Sequence, residues 1–299
     1  MRATALALLL VIPSIARDLH AQTWSSITIA GVTAAPGAKA SGNLVIAARG
    51  DTGTIVPFSI IRGATAGPTL ALIGGTHGSE VAPIVALQRL RADVDPAQLK
   101  GTLLIVHVAN MPSFLGRTIY YSPIDGKNLN RVYPGKADGT SSERIAYAIT
   151  NEIIQRSDYL VDMHAGDGNE SLRPYSYWSN LGINPKVDSI AKDLALAWGH
   201  ERIVVDNDRP KDVNASVYTQ NTAQLRGKPA ITTETGWLGE PNELMVQRNV
   251  AGAMNVMRYL RMLPGPAMPR VFLVRLMDDD PAKRTESRNR TLPLLRQRP

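Results

Sequence analysis

Between Thr69 and Leu260 the chain alternates short apolar runs with segments of helical period, and this alternation limits the fold more than any other feature. TLALIGG at 69–75 is a compact apolar run closed by two glycines; SEVAPIVALQRLRAD then places Val81, Ile84, Val85, Leu87 and Leu90 at helical spacing. TLLIVHVAN reads as the next strand, SSERIAYAITNEIIQRS as a helix that Ser142 could cap, and DYLVDMH as a strand. Asn184 and Pro185 suit the cap and first turn of a helix whose Val187, Ile190, Ala191 and Leu194 share one face. RIVVD is a further strand, Asn214 to Arg226 a helix closed by Gly227, KPAITTE another strand, and a long helix runs from about Pro241 to Leu260. Such alternation predicts an α/β domain over 65–264, a mostly parallel mixed sheet covered by helices on both faces. Ahead of it, 22–64 is rich in Thr, Ile, Val and Gly without a helical period, which predicts a β-rich N-terminal segment of short strands and turns.

The chain ends carry different expectations. MRATALALLLVIPSIA has a basic start and an apolar run too short to span a bilayer, and Leu19, His20 and Ala21 suit cleavage before Gln22. Residues 1–21 therefore read as a signal peptide, which predicts a periplasmic or secreted protein and removes His20 from the possible ligands. No later stretch is apolar enough to span a membrane. The sequence has no cysteine, so any metal must be held by His and carboxylates. Of the net charge of +7, residues 261–299 carry nine Arg or Lys against four Asp or Glu, a net of +5. The body is nearly neutral, which argues against a nucleic-acid partner. The stretch 265–299, which opens within PGPAMPRV, is basic and proline-broken, and is expected to be a disordered or truncated tail.

Two segments about eighty residues apart, GGTHGSEVAP and VDMHAGD, offer His77, Glu80 and His164. Two His and one Glu with a fourth position open to water is the ligand set of a catalytic zinc ion. His77 and Glu80 lie just past one expected strand, while His164 ends a second and Glu234 a third, and ligands of open α/β sheets bind at the carboxyl ends of strands. Gly74, Gly75 and Gly78 let the first loop turn tightly. Asp162, two residues before His164 on the same strand, can orient its imidazole. Glu234, in TTETGW, closes an apolar strand, and a buried acid there needs a reason such as catalysis. Tyr175, Tyr177 and Trp178 could line a pocket or pack in the core, as could Trp237. His107 reads as a core or pocket-wall residue, and His200 as the end of a helix, where a partial positive charge is favourable.

With DGKNLNRVYPG at 125–135 and TETG at 233–236, these segments resemble, in order, the motifs of the succinylglutamate desuccinylase and aspartoacylase family. That family is a branch of the zinc carboxypeptidase superfamily, and the resemblance covers roughly 69–260. It implies a zinc carboxypeptidase-like fold and one zinc on His77, Glu80 and His164. It further implies that Asn130 and Arg131 hold a substrate carboxylate and that Glu234 is the general base and acid. Arg117, in FLGRTIYYSP, resembles the arginine that polarises the scissile carbonyl. Independently, the planar fork of Arg131 matches a carboxylate bidentately. The expected reaction is amide hydrolysis of an N-acyl amino acid. The alternatives are a secreted carboxypeptidase acting on peptides or cell-wall peptides, and a non-catalytic, metal-dependent binding protein.

Overall fold

The computed structural model describes residues 24–266 and the backbone of 275–278. The expected signal segment and most of the expected tail lie outside the described residues. β1 (Ile27–Ile29) and β2 (Val32–Ala34) form a separate two-stranded hairpin. β3 (Ala38–Ile46) and β4 (Thr54–Arg62) are nine residues each and pair antiparallel at one edge of the main sheet. The expectation of short strands throughout this segment therefore fails beyond the hairpin. Its apolar positions extend far enough to build a full edge strand, β3, and the strand β4 that joins it to β6.

Strand and helix then alternate through β5 (Thr65–Gly74), α1 (Val81–Asp93), β6 (Lys100–Val106), α2 (Met111–Gly116), α3 (Ser141–Ile149) and β7 (Tyr159–His164). They continue with β8 (Tyr175–Ser179), α4 (Pro185–Trp198), β9 (Arg202–Asp206), α5 (Thr219–Gln224), β10 (Ala230–Glu234), α6 (Glu243–Tyr259) and β11 (Arg275–Asp278). One sheet runs in the order β11-β9-β8-β10-β7-β5-β6-β4-β3. The pairs β5–β6, β5–β7, β7–β10, β8–β9 and β9–β11 are parallel, and β3–β4, β4–β6 and β8–β10 antiparallel, as expected of a mostly parallel mixed sheet.

Because successive strand residues point to opposite faces, each strand feeds two cores. Leu70 and Leu72 of β5 join Leu87 and Leu90 of α1, Leu194 of α4 and Val256 of α6. Ala71 and Ile73, between and beside them, join Ile145 and Ile149 of α3, Ile153 just past its end, and Ala223 of α5. A fully buried side chain of this size stabilises the fold by roughly 1.5–3 kcal/mol. On β7, Val161 and Met163 enter the first core and Leu160 the second, so Asp162 and His164 face the α3–α5 side.

Several local expectations are corrected. α3 is preceded by Thr140, whose N–H is accepted by Glu143 Oε2 at 2.8 Å; Ser142 lies inside the first turn and donates its N–H and hydroxyl to Asp125 at 2.7 and 2.8 Å. α5 begins at Thr219, not Asn214, because the backbone of Val217 exchanges two hydrogen bonds with Tyr133, which pulls 214–218 out of the helix. β8 was hidden in an aromatic cluster, and it splits that cluster across the sheet. Tyr175 and Tyr177 share one face at 5.2 Å between rings, while Trp178 donates to Asp188 O of α4. Four residues of the expected tail, Arg275–Asp278, form β11, which pairs parallel with β9 at the sheet edge. His200 is not a charged helix end: Gly199 closes α4, and burial pushes the His200 imidazole down to about 3, leaving it neutral.

Candidate metal centre

The loop between β5 and α1 carries His77 and Glu80. Gly75 sits at φ +67°, and a Cβ on Gly78 would meet Phe114 N at 2.0 Å, so the loop can pass beneath α2 only with glycine there. Glu80 occupies the cap position of α1 but makes no side-chain capping bond, which leaves its carboxylate to face the site. His164 enters from the carboxyl end of β7.

The three residues are 8, 2 and 2% exposed, and one ligand atom from each lies within 4.8 Å of the others. His77 Nδ1 is 2.7 Å from Glu80 Oε1, and His164 Nδ1 is 2.9 Å from Glu80 Oε2. Both imidazoles thus turn Nδ1 inward and Nε2 outward. Outward, His77 Nε2 meets Asn128 Oδ1 at 3.1 Å and His164 Nε2 stands 3.1 Å from Asp162 Oδ2. An outward acceptor fixes the proton on Nε2 and frees the Nδ1 lone pair, as a metal-binding imidazole requires. Glu80 Oε2 is buried and has no hydrogen-bond partner despite the nearby Nδ1. An oxygen left in that state is costly, and a cation between these atoms would satisfy it. The donor set therefore fits a metal ion.

With no cation in place, the same groups draw positive charge onto the site. Burial acts to raise the Glu80 carboxyl, but His164 and His77 outweigh it and hold it at about 2. Burial acts to lower His164, but Asp162 and Glu80 raise it well above the usual imidazole range. Glu234 lies beside His164 in the parallel β7–β10 register and opposite Tyr175 in the antiparallel β8–β10 register. Its Oε2 is buried without a hydrogen-bond partner, and burial pushes its pKa well above the carboxylate range, which His164 offsets only in part.

The remaining expected residues lie around this centre with unequal support. Asn130 is buried; its Oδ1 accepts from Thr219 N and Oγ1 at 3.0 and 3.2 Å, and its Nδ2 is 3.5 Å from His164 Nε2. Its amide is therefore turned inward. Arg131 is exposed, donates from Nη1 to Asn130 O at 2.7 Å and stacks 4.8 Å above Tyr218, with no carboxylate at ion-pair distance among the described residues. Arg117 is exposed at the left-handed C-cap of α2, φ +50°, and its side chain has no hydrogen bond or ion pair among the described residues. Sequence reasoning missed Asn128, although it lies within NLNR. It also missed Tyr120, whose ring edge meets His77 at 5.5 Å and whose hydroxyl donates to Glu170 Oε1 at 2.6 Å. No spacing rule joins residues 120 and 170; only the meeting of two loops does.

A profile of the succinylglutamate desuccinylase/aspartoacylase catalytic domain matches residues 66–260, well over half of the chain, and the chain belongs to that family. It is 28% identical over 224 residues to the N-alpha-acetyl-L-2,4-diaminobutyric acid deacetylase of Halomonas elongata, covering 73% of this chain and 63% of that enzyme. The chain thus spans less than two thirds of that relative's length. The product-bound structure of the ectoine utilization protein EutE (DoeB) from Ruegeria pomeroyi matches with a TM-score of 0.69 at 27% identity, covering 81% of this chain and 72% of that one. A metallo-carboxypeptidase from Pseudomonas aeruginosa shares the fold at 15% identity and a TM-score of 0.53, over 70% of this chain and 62% of that one. The architecture is the zinc carboxypeptidase-like fold.

Proposed function

We propose that the chain is a zinc-dependent hydrolase cleaving the amide bond of small N-acyl amino acids. The observation that carries this reading is the convergence of two imidazole Nδ1 atoms on the two oxygens of buried Glu80, with Glu234 in register beside His164. His77, Glu80 and His164 would hold the zinc, which would supply Lewis acidity to a water and to an acyl carbonyl. Glu234 takes a proton from the water as it adds to the carbonyl and delivers one to the departing nitrogen. Water is consumed, and a carboxylic acid and a free amine leave. The raised pKa of Glu234 suits a group that must both accept and donate, and the charge of a bound dication would offset part of that rise.

Arg131, held over Tyr218 and free of an internal carboxylate, offers its fork to the substrate's free acid, with the Asn130 amide beside it. Arg117 is assigned to the developing oxyanion. Asp162 orients His164. The activity named for the Halomonas relative supports an N-acyl amino acid as substrate. The basic start and apolar run of MRATALALLLVIPSIA support export, with a mature N-terminus at Gln22.

Metal analysis of the purified protein should give about one zinc per chain, lost on His77→Ala. Turnover is then screened on Nα-acetyl-2,4-diaminobutyrate, N-acetylaspartate, N-succinylglutamate and short peptides. Cleavage of the N-acyl amino acids supports the reading, whereas preference for peptides with a free C-terminus moves it to a carboxypeptidase. Glu234→Gln should lower kcat by about 10²–10⁴-fold while zinc stays bound. Unchanged turnover in that variant would remove Glu234 from its role, and metal binding with no turnover on any of these compounds would leave a binding protein.

A further inference from the structure

The turn that follows Glu234 is held from the far face of the sheet. Successive residues of an extended strand point to opposite sides, so Glu234 faces the metal centre while Thr235 faces α4 and α6. Thr235 is fixed at three points. Its N–H donates to His164 O at 2.9 Å, its carbonyl accepts from Asn249 Nδ2 of α6 at 2.9 Å, and its hydroxyl is 3.0 Å from His200 Nε2.

His200 is itself held on two sides. Trp198 Nε1 donates to Nε2 at 3.2 Å, and Nδ1 is 3.0 Å from Ser176 Oγ. An indole N–H can only donate, so Nε2 is the acceptor of the ring, Nδ1 carries the proton, and the Thr235 hydroxyl donates to Nε2. Burial keeps the ring neutral near pH 7, so this polarity is stable there. Ser176 follows Tyr175, the residue that faces Glu234 across the antiparallel pair. His200 therefore bridges β8 to the β10 turn at the level of Glu234. Glu234 Oε2 has no hydrogen bond of its own to fix its direction, so the carboxylate takes its aim from the backbone beneath it.

We infer that His200 is a positioning residue that, through Thr235, fixes the direction in which Glu234 enters the active site. This rests on the reading of Glu234 as the proton-transferring group. A misplacement of about 1 Å in a catalytic group can cost on the order of 10²-fold in rate.

The test is steady-state kinetics on the full chain loaded with zinc, using the acylated amino acid turned over fastest in the screen above. Thr235→Val keeps the shape of the side chain and removes only the hydroxyl; His200→Leu removes the acceptor; His200→Gln restores an acceptor oxygen. Thr235→Val and His200→Leu should each lower kcat roughly 10–100-fold with KM within about twofold, the double variant should fall no further, and His200→Gln should recover most of the loss. Wild-type kcat in Thr235→Val, additive losses in the double variant, or a loss confined to KM would overturn the inference. Glu234→Gln in the same assay separates the two readings. If it is inactive while Thr235→Val and His200→Leu are not impaired, only the positioning role falls; if it is fully active, the role of Glu234 falls and this inference with it.

Discussion

Two pairs of buried or largely buried histidines serve the same sheet and meet opposite chemistry. His77 and His164, at the carboxyl ends of the strands, face Glu80 from both sides, and Asp162 with Glu80 raises His164 well above its usual range. His107 and His200, on the α1–α4–α6 side, meet hydroxyls instead: Ser59 Oγ at 2.8 Å, and Ser176 and Thr235 at 3.0 Å. Burial pushes His107 down to about 4 and His200 to about 3. All four rings leave water, so burial does not decide their state; the partner does. Carboxylates make a site for a cation, whereas hydroxyls and an indole make a neutral clamp.

Removing the carboxylate that defines the first pair should have the largest effect. Glu80→Gln takes away one of the three ligands and the charge between the imidazoles; zinc should be lost and turnover should fall on the order of 10³-fold or more, several kcal/mol of transition-state stabilisation leaving with the metal. Retained zinc and activity would mean that the pair is an ordinary buried network. Asp162→Asn keeps the ligands but weakens the group that orients His164. Zinc affinity, measured by competition with a chelator, should drop by about 10–100-fold, with turnover restored at excess zinc.

Arg131 sharpens the contrast from outside, since it is exposed and loop-borne where the histidines are buried. Arg131→Ala should raise KM about tenfold or more with little change in kcat, because a charge-assisted contact of about 1.5–3 kcal/mol is lost from substrate and transition state alike. A fall in kcat at constant KM would instead put Arg131 at the reacting carbonyl. The neutral pair should show itself in stability, with zinc binding and substrate binding unaffected. Since the folded-state pKa values of His107 and His200 lie below the unfolded value near 6.5, the unfolded chain binds more protons in between. Stability should be full above pH about 6.5 and fall below it by roughly 1.4 kcal/mol per pH unit for each ring, until the pH reaches its folded pKa. Thermal melting of the wild type beside His107→Gln and His200→Gln between pH 8 and 4.5 checks this, and a pH dependence unchanged by the substitutions would show that the rings are not held neutral.

Much of this was legible in the chain. The strand–helix alternation predicted the central sheet, because an apolar period of two or of 3.6 residues survives whatever packs against it. Failures came where tertiary contacts overrode local pattern. A backbone bridge from Tyr133 to Val217 removed the first turn of α5, and pairing with β9 and β10 drew an aromatic stretch into β8. The motifs in GGTHGSE, NLNR, VDMH and TTETG named His77, Glu80, Asp162, His164, Glu234 and Arg131, since spacing and chemistry within a segment are local properties.

What the sequence by itself determined was the donor set and the strands that carry it. What only the tertiary structure decided was how those groups face one another. Parallel pairing of β7 with β10 sets Glu234 beside His164, and the meeting of loops brings Asn128 and Tyr120 to His77. His107 and His200 show the same limit, since nothing within their own segments states that their imidazoles meet hydroxyls. The charge of these two rings depends on groups dozens of residues away, and only the folded chain brings them within about 3 Å.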